Sequence, residues 1–179
     1  MKHTSAEANK LLKEKNEYLK RLQGREYMTS RFTVALGEDV ESVRPAYNYS
    51  EVQQEMDKVC GEIRRIKHAI SLFNATTVIP GFNITIDEML VYIPQLNARK
   101  GRLEALSGLL PKQRKDDCSY RSGGSNLVEY VYANYDISLA EKDYKKVSRE
   151  LSKAQTALDV VNNSERFEIP GIEEPGEEE

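Results

Sequence analysis

The sequence contains no tryptophan and has two histidines and two cysteines among its 179 residues. His3 and His68 have no further ligands at regular spacing, so we predict no metal site. Cys60 and Cys118 show neither metal-ligand spacing nor a disulfide framework, and we interpret both as free thiols. Aromatic residues make up 8% of the chain. Together with the shortage of β-branched runs, this argues against a sandwich or barrel and favours packed helices.

The motifs of common catalytic classes are also absent. We find no phosphate-cradling glycine loop, no nucleophile elbow, and no histidine matched with a cysteine or serine. Gly123 and Gly124 are explained by a turn. The numerous carboxylates, such as Asp87 and Glu88, form no acid–base pair that the sequence can identify. We therefore predict a non-enzymatic protein without a cofactor.

No run of about 18 apolar residues is present, and the N-terminus lacks the apolar core of a signal peptide. We therefore expect a soluble, cytoplasmic protein with no membrane partner. The formal net charge of −3 is misleading, because residues 173–179 carry five carboxylates and no base. We predict a single helical domain over residues 1–169 and a flexible acidic tail over residues 170–179.

Residues 50–77 and 138–165 are predicted to be two copies of one helix, 88 positions apart. Their apolar residues recur in steps of four and three, which is the spacing of one buried helical face. Each copy opens with the spacing of a capping box and closes on an asparagine, Asn74 or Asn162. Matching start and stop signals at one offset indicate an internal duplication. The two boxes are Ser50 with Gln53 and Ser138 with Glu141.

Two more helices are predicted where a threonine is followed three residues later by a glutamate, because this spacing is also that of a capping box. They are expected over residues 4–29 and 85–110. Pro94 lies inside the latter and removes one helical hydrogen bond, so we expect a kink or local break there. The two boxes are Thr4 with Glu7 and Thr85 with Glu88.

Two regions between the helices have strand composition. Apolar and small residues alternate over 32–36, which predicts a short strand. Further on, residues 118–121 and 127–133 are predicted to form a β-hairpin around a turn at 122–125. An extended end is expected at 167–169. The predicted fold is therefore mainly α, with a small β-hairpin at one end.

Helices of this length with compact connections favour an antiparallel, up-down-up-down, coiled-coil-like four-helix bundle built from two helical hairpins. This order places the long linkers, residues 37–48 and 112–137, at the same end. That end collects six of the ten tyrosines together with several arginines. Aromatic faces interleaved with cations are typical of sites where bases stack and phosphates pair. The candidate ligand-binding residues are Arg31, Arg44, Tyr47, Tyr49, Arg114, Tyr120, Arg121, Tyr130, Tyr132 and Tyr135.

Packing is the alternative explanation for these tyrosines, because tyrosine favours strands and Tyr130 and Tyr132 share one face on which they could cover a helix end. Two short basic clusters, at residues 64–67 and 99–102, lie off the apolar stripes. Such clusters are usually solvated helix faces, and RNA binding would ordinarily need a wider basic surface. RNA therefore remains a second candidate partner.

With its helices placed, the chain resembles the septicolysin-like family of small bacterial helical proteins, whose function is largely uncharacterised. The resemblance covers most of residues 5–165. The segments that carry it are the Leu/Lys-rich helix at 8–22, Ile70-Ser-Leu-Phe-Asn-Ala-Thr, Thr85-Ile-Asp-Glu-Met-Leu, Tyr120-Arg-Ser, Asn134-Tyr-Asp-Ile-Ser-Leu, and a last helix that ends at Asn162. The chain departs from the family at Pro94 and at the insertion 122–125. The family label implies membrane lysis, yet neither 127–133 nor any predicted helix is long or apolar enough to span lipid.

The sequence thus predicts a non-enzymatic, self-associating helical protein that binds, and by binding sequesters, a small anionic or nucleotide-like ligand. Self-association is expected because long helices with exposed Tyr and Leu off the main stripe often complete their burial between subunits. The alternative is a coiled-coil interaction module for protein or RNA, and a pore-forming cytolysin is the third possibility.

Overall fold

The computed structural model describes residues 2–115 and 128–172. The chain is mainly helical, as the sequence predicts, and no helix in the described part is long and apolar enough to cross a membrane. The helices are α1 (Ser5–Thr29), α2 (Val40–Val43), α3 (Tyr49–Thr76), α4 (Ile86–Ser107) and α5 (Ile137–Ser164). The strands are β1 (Lys2–Thr4), β2 (Val78–Ile79), β3 (Ile84–Thr85), β4 (Lys112–Arg114), β5 (Tyr130–Tyr132) and β6 (Arg166–Glu168).

The chain divides into two compact units. The described residues of unit 1 are 2–77 and 159–172, and those of unit 2 are 78–115 and 128–158. The boundary lies near the end of α5. A single domain over 1–169 stays a prediction.

The two helices of the predicted repeat are present. Both α3 and α5 have 28 residues, and their first and last residues are 88 positions apart, each one position earlier than predicted. The capping boxes Thr4–Glu7 and Thr85–Glu88 are also formed, and they lie 81 positions apart. These two offsets define equivalent positions in the two repeats.

Unit 1 contains an antiparallel hairpin of α1 and α3. The phenol of Tyr18 donates a hydrogen bond to Glu55, and Lys15 Nζ lies 2.6 Å from Glu62 Oε2. Because the earlier residue of α1 meets the later residue of α3, the helices run in opposite directions. Two apolar clusters fill the hairpin: Ala8, Ile66, Ala69 and Ile169 at one level, and Leu22, Val59 and Ile63 at the other.

The end of the chain completes unit 1. Strand β6 pairs antiparallel with β1, with His3 opposite Phe167. The ring of Phe167 stacks on Phe73 with the ring centroids 4.4 Å apart. Ile172 packs against the same core cluster, so the segment assigned to the tail begins with core contacts. The extended end predicted at 167–169 is confirmed, and the acidic residues 173–179 lie outside the described part.

Unit 2 contains a second antiparallel hairpin, formed by α4 and α5. Tyr92 Oη donates to Glu150 Oε1 at 2.5 Å, and Tyr135 Oη donates to the carbonyl of Leu106 at 2.7 Å. Strands β2 and β3 pair in front of α4. The buried side chains of this unit include Ile79, Ile86, Met89, Leu96, Leu103, Ala140, Val147, Leu151 and Ala154.

The predicted starts of α3 and α5 are wrong, and both for the same reason. The N-caps are Asn48 and Asp136, two residues before the predicted serines. Asn48 Oδ1 accepts from the backbone N–H groups of Ser50 and Glu51, and Asp136 Oδ1 accepts from those of Ser138 and Leu139. An Asn or Asp side chain is at least as good a cap as serine, so the earlier residue takes the position. The box partners bind elsewhere: Gln53 donates to Glu26, and Glu141 pairs with Lys145.

These equivalent caps differ in charge, which predicts a difference in pH dependence. Hydrogen bonds from the Ser138 hydroxyl and backbone hold the pKa of Asp136 below its usual value. A lowered folded-state pKa means that this stabilisation is present above the unfolded pKa of about 3.9 and is lost as pH falls through the folded pKa. We expect Asp136→Ala to lower Tm at about pH 7 and to lower it less at about pH 3.

Asn48→Ala is the matched control, because an amide cap does not titrate. Its loss of Tm should be similar at both pH values when melting is followed by circular dichroism. A pH-independent effect of Asp136→Ala would contradict the role assigned to the carboxylate.

Helix α4 continues through Pro94, so the expected local break is absent, and the kink given as its alternative stays a prediction. Proline removes the hydrogen bond that its N–H would have donated to the carbonyl four residues earlier. That carbonyl belongs to Leu90, which is exposed, so we expect water to satisfy the freed acceptor.

The strand predicted over 32–36 is wrong. These residues are irregular or in a turn, and the linker instead contains α2. A strand needs a partner backbone, and within the described residues the linker has none. Phe32 and Leu36 are exposed and Val34 is partly buried, so the alternation does not mark a buried strand face.

The second strand of the predicted β-hairpin is confirmed. Strand β5 lies within the predicted 127–133 and pairs with β4, which precedes the predicted 118–121. The segment 118–121 and the turn at 122–125 lie outside the described residues.

Candidate functional site

In unit 1, the predicted site residues Tyr47 and Tyr49 line a depression of about 510 Å³ together with Tyr27. Glu26 also lines it, and its Oε1 accepts from Tyr47 Oη at 3.0 Å and from Gln53 Nε2 at 2.6 Å. The pKa of Tyr47 is raised, first because the phenol is partly desolvated and second because it donates this hydrogen bond. The carboxylate would repel an anion, so this depression does not suit the expected ligand.

The two arginines of unit 1 are also engaged. Arg44 makes two hydrogen bonds to the Glu41 carboxylate, at 2.8 and 2.9 Å, and its guanidinium lies 5.4 Å from the centre of the Phe32 ring. Arg31 lies 5.4 Å from the centre of the Tyr27 ring. The Arg44 charge is therefore met by a local carboxylate, whereas the contact of Arg31 is with a ring.

In unit 2, the structure brings Arg114, Tyr130 and Tyr132 together on the β4–β5 pair. Lys112 lies opposite Tyr132, and Arg114 lies opposite Tyr130. Directly opposed residues share a face, so these four side chains form one exposed surface, which we call the ribbon face. Lys112 Nζ lies 4.1 Å from the centre of the Tyr130 ring and 5.4 Å from that of Tyr132.

Tyr47 and Tyr135 are 88 positions apart and have equivalent structural roles. Each phenol ties its linker to the C-terminal part of the preceding helix, through Glu26 in one repeat and the Leu106 carbonyl in the other. Packing therefore accounts for these two tyrosines.

The ten predicted residues thus fall into separate groups. Four belong to unit 1 and four to unit 2, and each group is described by itself. Tyr120 and Arg121 lie outside the described part of the chain.

Unit 2 also contains a concave surface that the sequence interpretation missed. Five cations from α5 line a groove of about 740 Å³ together with Gly81, Phe82 and Glu150. We call this the basic groove. The cations are Lys142, Lys145, Lys146, Arg149 and Lys153.

A second depression of about 670 Å³ shares Gly81, Phe82 and Glu150 with the basic groove. Its other lining residues come from β3 and the first half of α4: Ile84, Asp87, Glu88, Val91, Tyr92 and Gln95. We call this the α4 side. It is partly apolar and carries carboxylates, so the two depressions differ in charge.

Tyr92 and Glu150 form the boundary between the two depressions. The hydrogen bond from the phenol to the carboxylate, with partial burial, raises the pKa of Tyr92. The phenol therefore stays protonated at neutral pH and fixes the orientation of Glu150.

The cations of the basic groove are crowded along one helix. Successive members are one, three or four residues apart, and like charges at the three- and four-residue spacings destabilise a helix by about 0.2–0.5 kcal/mol per pair. Lys145 is paired with Glu141 at 2.6 Å. Lys142, Lys146, Arg149 and Lys153 make no ion pair with any described residue.

The equivalent positions of α3 lack this charge. They hold Gln54, Asp57, Lys58, Gly61 and Arg65, which sum to one positive charge against five in α5. Both helices have the same length and an Asn or Asp N-cap, so the fold does not require the cations of α5. This row of cations on α5 could have been found in the sequence by comparing the two copies of the helix at polar positions as well as at apolar ones.

The turns beside α3 and α5 also differ. Gly81 and Gly171 each follow an Ile-Pro pair and have positive φ, +82° and +69°. In unit 1, the Arg65 side chain lies within 3.4 Å of where a Cβ on Gly171 would be. In unit 2, no atom lies within 4 Å of the corresponding point at Gly81. The glycine turn is thus covered in one unit and open, beside the groove, in the other.

Within the described residues, no group of three or more His, Cys, Asp or Glu side chains is arranged to hold a metal ion. Cys60 is a partly buried free thiol on α3, and Cys118 lies outside the described part. Neither cysteine belongs to the basic groove.

No protein-family model and no curated protein matches this chain. Among solved structures, the chain is similar to the crystal structure of a functionally unknown conserved protein from Corynebacterium diphtheriae, with a TM-score of 0.54 and 17% sequence identity. The match covers 94% of this chain and 100% of that chain. It supports a shared fold and carries no information on function, so the septicolysin-like resemblance stays a prediction.

Proposed function

We propose that this protein binds a small nucleotide-like anion in unit 2, with the phosphates in the basic groove and the base on the α4 side. The observation that carries the proposal is the concentration of cations on α5, four of them unpaired, around an open concave surface. Arg and Lys side chains with free donors are the groups that bind phosphate oxygens.

The charge difference across Tyr92 and Glu150 gives the ligand an orientation. The α5 cations attract its anionic end, whereas Asp87, which lines only the α4 side, repels it from there. On the α4 side, Phe82 and Val91 supply apolar contacts, and Gln95 supplies an amide that can pair with a base edge. A molecule with one polyanionic end and one neutral ring end fits both depressions.

The internal repeat supports a functional explanation of the cations. If a long helix of this fold needed cations at these five positions, the equivalent positions of α3 would carry them as well. The four Lys and Arg residues of α3 are not grouped at those positions. Because crowding like charges costs stability, the row of cations on α5 is better explained by a bound anion that offsets the repulsion.

The proposal is of binding and sequestration rather than catalysis. Among the groups that line the two depressions, the Tyr92 phenol has a raised pKa, Glu150 is engaged by that phenol, and Glu88 caps α4. None of these is set up as an activated nucleophile or a free general base.

The antiparallel four-helix bundle is the arrangement we propose for the whole chain.

Isothermal titration of the full chain with ATP, adenosine and inorganic tripolyphosphate tests the proposal. ATP should bind more tightly than either fragment, because only ATP fills both depressions. Equal affinity for ATP and tripolyphosphate would contradict the proposed contact between the base and the α4 side. No binding of any nucleoside triphosphate at low salt would contradict it altogether.

We also propose self-association, because unit 1 exposes several large apolar side chains between the last turn of α1 and the start of α3. Tyr27, Met28, Leu36 and Tyr49 are each more than half exposed. Clustered exposed apolar residues often mark an interface between subunits. Light scattering should show an oligomer that Met28→Asp with Leu36→Asp converts to a monomer. A monomer at every concentration of the parent protein would contradict this.

A further inference from the structure

The ribbon face carries an inference that is independent of the basic groove. It lies on the β4–β5 pair, and all six residues of that pair are exposed. We propose that the ribbon face binds single-stranded nucleic acid, with bases stacked on Tyr130 and Tyr132 and phosphates paired with Lys112 and Arg114.

The arrangement of side chains supports this class of ligand. Each cation lies directly opposite a tyrosine, so positive charges and rings alternate across the two strands. Tyr130 and Tyr132 are two residues apart on β5, which separates them by about 6.6 Å along the strand. That distance gives each ring room for its own base. Proteins that bind single strands without sequence preference combine a cationic path with aromatic platforms in this way.

Lys112 connects the two kinds of contact. Its ammonium lies 4.1 Å from the centre of the Tyr130 ring and covers part of that face, so a phosphate that pairs with Lys112 must draw the ammonium off the ring before a base stacks there. The rings themselves are accessible, with exposed fractions of 47% for Tyr130 and 62% for Tyr132. A duplex offers its bases edge-on inside the grooves and cannot present their flat faces to these rings. The geometry therefore favours a single strand.

The internal repeat shows that the fold does not need this surface. The equivalent linker in unit 1, between α1 and α3, contains α2 and no strand. The phenol contact that both linkers share is made by Tyr135 and Tyr47, neither of which belongs to the ribbon face. The ribbon face is thus an addition to the second linker.

Fluorescence anisotropy of the full chain with a labelled oligothymidylate of about ten nucleotides tests the inference, since that length covers a typical site. The parent should bind it more tightly than a duplex of the same length. Tyr130→Ala with Tyr132→Ala should weaken binding by at least about tenfold, because stacking contributes substantially for each base. Tyr130→Phe with Tyr132→Phe should restore it, since phenylalanine keeps the ring.

Lys112→Gln with Arg114→Gln tests the phosphate contacts. Losing two contacts should reduce the slope of log affinity against log salt by about 1.4, at roughly 0.7 per phosphate on a single strand. Gln113→Ala with Val131→Ala, on the opposite face of the same strands, is the matched control and should leave both affinity and slope unchanged. Melting followed by circular dichroism confirms that each variant is folded.

The variant Lys146→Gln with Arg149→Gln tests whether oligonucleotide binding at the ribbon face is independent of ATP binding in the basic groove. That variant should keep most of its affinity for the oligonucleotide while losing ATP binding. Three results would overturn the inference: unchanged affinity in the double alanine variant, equal affinity for duplex and single strand, or loss of oligonucleotide binding in the groove variant alone.

Discussion

Replacing Lys146 and Arg149 by glutamine should weaken ATP binding by at least about 30-fold without lowering Tm. Hydrogen bonds to charged groups contribute about 1.5–3 kcal/mol each, and both cations line the basic groove without an ion-pair partner among the described residues. In the absence of ligand, the same change removes repulsion between like charges three and four residues apart. Stability should therefore be unchanged or slightly higher.

The matched control comes from the first repeat. Lys58 occupies the position in α3 that Lys146 occupies in α5, and its neighbours there include Asp57 and Gly61 rather than further cations. Lys58→Gln should leave ATP binding unaffected. Calorimetric titration and thermal melting measure the two effects separately. If the groove variant lost stability and kept its affinity, the cations would be structural and the proposed site would be wrong.

Ile66→Ala should destabilise the protein by about 2–5 kcal/mol, the cost expected for removing a large side chain from a filled core. Ile66 is fully buried in unit 1 and packs in one cluster with Ala8, Ala69 and Ile169. The loss can be measured from urea unfolding. Leu72→Ala on the same helix is the control, because Leu72 is more than half exposed and should change stability by less than about 0.5 kcal/mol.

The second repeat predicts a partial rescue. At the equivalent positions, Met89 replaces Ala8 and Ala154 replaces Ile66, and all four residues are fully buried. In the first repeat the large side chain, Ile66, is on the second helix of the hairpin, and in the second repeat the large side chain, Met89, is on the first helix. The facing position is alanine in both repeats. Adding Ala8→Met to Ile66→Ala should recover part of the lost stability, whereas Ala8→Met alone should overpack the core and cost about 1–3 kcal/mol. Additive losses in the double variant would show that the two repeats do not pack equivalently.

Local signals gave correct predictions where the interaction was also local. Thr4 with Glu7 and Thr85 with Glu88 form capping boxes because all the bonded groups lie within one turn. The same reasoning failed at Ser50 and Ser138, where an Asn or Asp two residues earlier accepts from the backbone N–H groups and caps the helix instead. It failed again at 32–36, since a strand depends on a partner that alternation cannot reveal.

The predicted binding residues show the same limit. The sequence counted tyrosines and arginines in the linkers, but it could not show that Arg44 is bound by Glu41 or that Tyr47 is anchored by Glu26. It did identify Tyr130, Tyr132 and Arg114, which the pairing of β4 and β5 brings onto one face. The register of that pairing, which also adds Lys112, is a tertiary property.

The sequence by itself determined the helical class, the 88-residue repeat of its longest helices and the order of its four long helices, because hydrophobic periodicity and capping act over a few residues. The tertiary structure decided which equivalent surfaces are open. Arg65 covers the glycine turn at Gly171, while Gly81 borders an open groove lined by the cations of α5. That difference depends on side chains that meet across elements distant in sequence, which no local pattern encodes.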